Sequence, residues 1–168
     1  TTDGHSHTPL KTSVYPAEVH LINSEITDNL AYLSGGGLYV DSSLLTMTGG
    51  RISGNEANHG GGLASINAQA YVTKVELLKD RAGKAGGAVH LSTGSRMVAV
   101  QTAIVEGWAK DGALAFIDES QLEMEDSWVA FPRGSEAVVA HASAAVFLYD
   151  STLWTDEHPM YAGYSQQV

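Results

Sequence analysis

The sequence contains no cysteine, which excludes disulfide frameworks, thiolate metal sites and cysteine nucleophiles. Basic residues are also scarce: nine Lys and Arg stand against 19 Asp and Glu, so the formal net charge is −10. Nucleic acid and anionic lipid both attract a surplus of cations, and we therefore expect no nucleic-acid partner. No apolar stretch approaches the ~20 residues that a membrane-spanning helix needs, so we expect no membrane span.

The length of 168 residues indicates one domain, since about 150 residues per domain is usual. Hydrophobic residues make up 43% of the chain, which excludes a compositionally disordered protein. The chain begins with Thr1 and shows no export signal. We therefore expect a processed chain or an excised part of a longer protein.

A glycine-rich block recurs along the chain at a constant step of 25 residues. Counted on its last glycine, the block falls at positions 37, 62, 87 and 112, and one more step lands on Ala137. Glycine tolerates the positive φ that sharp turns need, so we expect each block to turn the backbone. The repeat glycines are Gly35, Gly36, Gly37, Gly60, Gly61, Gly62, Gly86, Gly87 and Gly112.

A second motif, Ile-x-x-Asn, precedes the first two glycine blocks, from Ile26 to Asn29 and from Ile52 to Asn55. The apolar position continues at Leu78, Ile104 and Val129, and the asparagine is replaced by Arg81, Gly107 and Pro132. Asparagines stacked on successive turns can hydrogen-bond to one another. We therefore expect Asn29 and Asn55 to begin a ladder that Arg81 ends.

Short segments with alternating apolar and polar residues lie between these motifs, as in Leu45-Thr46-Met47, and this period is typical of half-buried strands. We predict that Met47 and Ile52 point into the core and that Thr46 and Thr48 point outward. The segment 71–84 mixes β-branched and charged residues and follows the same repeat. It is therefore predicted as strands and not as a helix.

A repeat of about 25 residues with two or three short strands is typical of one turn of a parallel β-helix. The sequence therefore predicts an all-β, single-stranded parallel β-helix of about six turns over residues 17–154. A β-sandwich, which also has short strands at even spacing, is the alternative. The period alone does not determine the handedness.

The alternation of Gly-Gly-x blocks with Ile-x-x-Asn motifs resembles the chlamydial polymorphic outer membrane proteins over roughly residues 19–115. That family consists of autotransporter-type surface adhesins. The resemblance implies that the β-helix is right-handed and that the protein is secreted or displayed at the cell surface. It supplies no catalytic residues.

Residues 1–16 and 155–168 lie outside the repeat. The ends of a β-helix expose unpaired strand edges, and natural chains cover such edges. We predict an N-terminal tail or cap over residues 1–16. Residues 155–168 are predicted as a C-terminal cap, with a docking tail as the alternative.

One pair of carboxylates has a spacing that suits catalysis. Glu123 and Glu125 alternate with Leu122 and Met124, which places both carboxylates on the outer strand face, roughly 7 Å apart. This separation falls in the range of the acid/base pair of an inverting glycosidase. Solubility alone also requires charged residues on an outer face, and we favour that interpretation.

Three further groups of residues are candidates for binding. The histidines near the glycine blocks differ in register, so we expect no metal or catalytic cluster among His59, His90 and His141. A basic segment is interpreted as a charged outer face and comprises Lys74, Lys79, Arg81 and Lys84. Trp128 and Trp154 lie one turn apart and form either a sugar-binding platform or ordinary edge packing.

Taken as a sequence, the chain is expected to be a non-catalytic structural or adhesive module that binds a protein or glycan partner or assembles with itself. We expect no enzymatic activity, no cofactor and no metal, and a location outside the cell or at its surface. The apolar runs 137–140 and 144–148 do not alternate, which indicates burial on both faces. The alternative is a carbohydrate-active enzyme, either a polysaccharide lyase or a glycoside hydrolase.

Overall fold

The computed structural model describes residues 16–134 and 136–154. The described residues form 18 β-strands and no helix, and every strand pair is parallel. The strands lie in three sheets, which we number 1 to 3. The predicted tail or cap over residues 1–16 lies outside the described residues except for Pro16, and the predicted C-terminal cap or docking tail lies entirely outside them.

Sheet 1 is the broadest and consists of β1 (Glu18–Thr27), β3 (Leu44–Ser53), β6 (Gln69–Leu78), β9 (Arg96–Val100), β10 (Ala103–Val105), β13 (Gln121–Glu125), β14 (Trp128–Ala130), β17 (Ala145–Tyr149) and β18 (Thr152–Trp154). Sheet 2 consists of β4 (Glu56–His59), β7 (Arg81–Ala85), β11 (Trp108–Ala109) and β15 (Arg133–Gly134). Sheet 3 consists of β2 (Leu38–Asp41), β5 (Leu63–Ile66), β8 (Val89–Ser92), β12 (Ala115–Asp118) and β16 (Val138–His141).

The three sheets are the sides of a parallel β-solenoid of about five turns, with about 25 residues in each turn. In sheet 3, for example, Leu38 pairs with Leu63, and Leu63 pairs with Val89 on the next turn. The predicted all-β parallel β-helix is therefore confirmed. The β-sandwich alternative is wrong because sandwich sheets are built from antiparallel strands.

Each turn bends at four corners, and each corner is formed by a residue with positive φ. The first corner is formed by Asn23, Gly49, Lys74, Gln101, Asp126 and Asp150, and the second by Asp28, Gly54, Lys79, Glu106 and Phe131. The third is formed by Gly35, Gly60, Gly86 and Gly112, and the fourth by Ser42, Asn67, Thr93, Glu119 and Ala142. Only the third corner is made of glycine throughout, and it is the corner that the glycine block marks.

The core runs along the solenoid as stacked columns of apolar side chains. Met47 and Ile52 are fully buried, whereas Thr46 is half-buried and Thr48 is exposed, so the predicted register of β3 is confirmed. On the next turn Ile52 pairs with Leu77. The prediction that Leu78 continues the apolar column is therefore wrong, because this turn is 25 residues long and not 26.

A ladder of polar side chains also runs inside the solenoid. The backbone N–H and the Nδ2 of Asn29 both donate to Oδ1 of Asn55, each over 3.0 Å. Asn55 in turn donates from its N–H and its Nδ2 to Oδ1 of Asp80. The prediction that Arg81 ends the ladder is wrong, because Arg81 pairs with Glu56 in sheet 2 and Asp80 occupies the ladder position.

Candidate functional site

The two carboxylates with catalytic spacing face outward from β13, as predicted, but one of them is engaged. Arg96, which lies on β9 one turn earlier, donates from Nε to Oε1 of Glu123 over 3.1 Å and from a terminal nitrogen to Oε2 over 2.7 Å. The hydrogen bond from Arg96 to Glu123 raises the pKa of the guanidinium. This bidentate pair holds Glu123 as an ionised acceptor, which is a poor arrangement for a group that must take up and release protons.

Two of the three candidate histidines meet on the outer side of sheet 3. The ring centroids of His59 and His90 are 5.1 Å apart, and His90 stacks on Phe116 at 5.4 Å. The third histidine, His141, instead places Nδ1 3.0 Å from Oδ1 of Asp118. The prediction that no two of these histidines share a position is therefore wrong for His59 and His90.

The contact between His59 and His90 favours neutral imidazoles. Burial lowers the pKa of His90 to about 4. Burial and the charge of Lys84 also lower the pKa of His59. In both rings the buried Nδ1 has no hydrogen-bond partner among the described residues. Within residues 16–134 and 136–154, no group of three His, Asp or Glu side chains is arranged to hold a metal ion.

The predicted basic segment does not converge on one site. Lys74 and Lys79 occupy the first and second corners of their turn, while Arg81 lies in sheet 2. The guanidinium carbon of Arg81 lies 5.2 Å from the ring centroid of Trp108, which is a cation–π contact. These cations therefore point away from the solenoid at separate positions.

A carboxyl group that the sequence analysis missed is buried within the polar ladder. Asp80 is fully buried, and burial raises its pKa to about 7, although the hydrogen bonds from Asn55 act in the opposite direction. Its second oxygen, Oδ2, has no hydrogen-bond partner among the described residues. The signal in the sequence was the step of 25 from Asn55, which points to Asp80 and not to Arg81.

The most open concave surface in the described part lies across the last two turns. It is a cleft of about 450 Å³ lined by Asp126, Ser127, Trp128, Asp150, Thr152 and Trp154. Trp128 is 50% exposed and Trp154 is 54% exposed. The two tryptophans that lie one turn apart in the sequence are thus brought to one cleft, whereas Trp108 lies in sheet 2.

Aromatic side chains continue from this cleft along the outer face of β17. Phe147 and Tyr149 are 41% and 55% exposed, and their rings stack with centroids 6.5 Å apart. Tyr149 directly precedes Asp150 of the cleft. We call Trp128, Phe147, Tyr149 and Trp154 the aromatic surface.

Comparisons with protein-family models, with curated proteins and with solved structures found no match. The described residues contain no helix of the length and apolarity needed to cross a membrane. The parallel β-solenoid is therefore established by the strand pairing itself, and the role of the chain has to be argued from its surface.

Proposed function

We propose that the chain is a non-catalytic structural or adhesive β-helix module of a secreted or cell-surface protein. In this proposal it acts by contact between its outer surface and a protein or glycan partner. The aromatic surface carries the proposal, because four large rings, each at least 41% exposed, lie together on the last two turns. Exposed apolar patches of this kind mark interaction sites on soluble domains.

Two further features support an adhesive role. The glycine blocks and Ile-x-x-Asn motifs resemble those of the chlamydial polymorphic outer membrane proteins, whose surface-exposed part is a β-helix. The outer faces of the strands are joined by short corners, so the described residues present broad faces rather than a deep groove. A solenoid of this shape suits contact with a large partner.

An adhesion measurement tests the proposal. Beads coated with the chain are passed over surfaces coated with glycans or extracellular proteins, and the retained fraction is counted. We expect retention of wild-type beads and a severalfold loss for the double variant Phe147→Ser with Tyr149→Ser. The matched control removes two exposed aromatic rings from the first turns, by Tyr32→Ser with Tyr39→Ser, and should retain wild-type adhesion.

Two results would count against the proposal. One is equal loss of adhesion in the control variant, which would indicate non-specific stickiness of exposed rings. The other is the absence of adhesion together with absence of self-association in sedimentation velocity at high concentration. If instead a polysaccharide is cleaved and Glu123→Gln abolishes the cleavage, the carbohydrate-active enzyme is the correct function.

A further inference from the structure

The walls of the cleft are held in fixed positions by the ladder of hydroxyl groups beneath it. Oγ of Ser127 accepts a hydrogen bond from the N–H of Thr102 over 3.0 Å, and the N–H of Ser127 donates to Oγ of Ser151 over 3.1 Å. Strands β14 and β18 pair in register on either side. Because the backbone is fixed before any ligand arrives, binding here loses little conformational entropy.

The two tryptophans stand on the outer side of these strands. Val129 is buried in the core, so its neighbour Trp128 faces outward. Trp128 pairs with Thr152 and Ala130 pairs with Trp154, which makes the two tryptophans diagonal neighbours with Cα atoms roughly 8 Å apart. A flat or extended group can therefore contact both indole rings at once.

The cleft is also negatively charged. Asp126 and Asp150 are equivalent first-corner residues on successive turns, so their backbones lie about 4.8 Å apart. Neither carboxylate forms an ion pair with a described residue, and no Lys or Arg lines the cleft. Two carboxylates this close repel each other, and a cation placed between them relieves that repulsion.

We propose that this cleft binds a lysine or arginine side chain from a basic segment of a partner protein. The cation contacts the indole faces through cation–π attraction and pairs with Asp126 and Asp150. A neutral sugar would use the rings but not the charges, and an acidic sugar would be repelled. This inference rests on the proposed function, for which it names the class of partner.

The indole signals of the protein report binding at this site. The three tryptophans give three indole N–H signals in ¹H–¹⁵N spectra, and Trp108 serves as an internal reference because it lies in sheet 2 against Arg81. The intact chain is titrated with blocked tetra-arginine and, separately, with neutral cellotetraose. We expect tetra-arginine to shift the Trp128 and Trp154 signals, to leave Trp108 unchanged, and to bind more weakly as salt is added.

The matched variants separate the cleft from the general charge of the chain. Asp126→Asn with Asp150→Asn should weaken tetra-arginine binding about tenfold, the loss of one charge-assisted contact. Asp41→Asn with Glu119→Gln removes the same number of charges at the fourth corner and its adjoining strand, and should leave binding unchanged.

Three results would overturn the inference. They are equal weakening in both double variants, tetra-arginine binding without shifts of the Trp128 and Trp154 signals, and shifts of those signals by cellotetraose alone. If any of these occurs while the beads still adhere through the aromatic surface, the proposed function stands and the basic partner is wrong. If adhesion also fails, the proposed function fails with it.

Discussion

Replacing Asp80 by Asn should stabilise the protein at neutral and alkaline pH. The carboxyl group is fully buried and its pKa in the folded protein is raised from 3.8 to about 7. The folded state therefore holds a proton that the unfolded state has released between these two pH values. Stability contributed by this group is complete below pH 4 and falls as the pH rises towards 7.

The size of the effect follows from the shift in pKa. A shift of about 3 units corresponds to about 4 kcal/mol, at about 1.4 kcal/mol for each unit, and relaxation of the protein around the charge will reduce it. Asn avoids this loss because it carries no charge at any pH. It also fits the ladder: Nδ2 of Asn55 donates to the carbonyl of Ile26 over 3.0 Å, and Ile26 pairs with Ile52. The Nδ2 of an asparagine at position 80 should therefore donate to the carbonyl of Ile52.

The measurement is urea unfolding followed by far-UV circular dichroism at pH 4, 6 and 8. The difference in unfolding free energy between Asp80→Asn and wild type is taken at each pH, because this difference removes the contribution of every other titrating group. We expect a difference near zero at pH 4 that grows to between about 1 and 4 kcal/mol at pH 8. Glu119→Gln, which removes an exposed carboxylate from a corner, is the control and should change little.

A difference that does not depend on pH would refute this account of Asp80. A variant that is less stable than wild type at pH 8 would also refute it, because it would mean that the buried charge is stabilised by a contact that the ladder does not contain. Equal behaviour of Glu119→Gln would show that the effect comes from net charge and not from burial.

Three other predictions concern stability and are checked by the same urea unfolding measurements. Ile52→Ala should lower the free energy of unfolding by about 2–5 kcal/mol because it opens a cavity in the core, whereas Thr46→Ala should stay within about 0.5 kcal/mol of wild type; equal losses would mean that the register of β3 is wrong. Gly60→Ala should cost at least about 1–2 kcal/mol because its φ is +59° and side chains are strained in that conformation; a neutral result would show that this corner is relaxed. His90→Phe should preserve the stack on Phe116 and remove a loss of stability, of no more than about 3 kcal/mol, that wild type suffers as the pH falls from 6.5 to 4; an unchanged pH dependence would show that His90 is not the group responsible.

The period of the glycine block was enough to predict the fold, but not every position within a turn. Steps between equivalent residues vary: Ile26 pairs with Ile52 after 26 residues, and Ile52 pairs with Leu77 after 25. A fixed step therefore misplaced Leu77 and Asp80 by one residue each. In a strand such an error exchanges the inner face for the outer one.

The other corners and the site itself were harder to foresee. Positive φ is uncommon outside glycine, yet Lys74 and Gln101 both adopt it at the first corner, so composition does not reveal that corner. The contact between His59 and His90 crosses from sheet 2 to sheet 3, and a linear register does not describe contacts across a corner. The pairing of Trp128 with Trp154 was visible in their spacing, but the acidic wall beside them was not noticed.

The repeated corners make each turn an interchangeable length of chain. Every turn enters and leaves its neighbours through the same backbone conformations, and the side-chain oxygens of Asn55 and Ser127 each accept from the N–H one turn earlier. Duplicating or deleting one whole turn would therefore preserve the bonding on both sides of the junction. The distance of the cleft from the first turn would then change in steps of about 4.8 Å, with neither end altered. Such a module can be lengthened or shortened like a ruler, with its reach adjusted independently of what it holds.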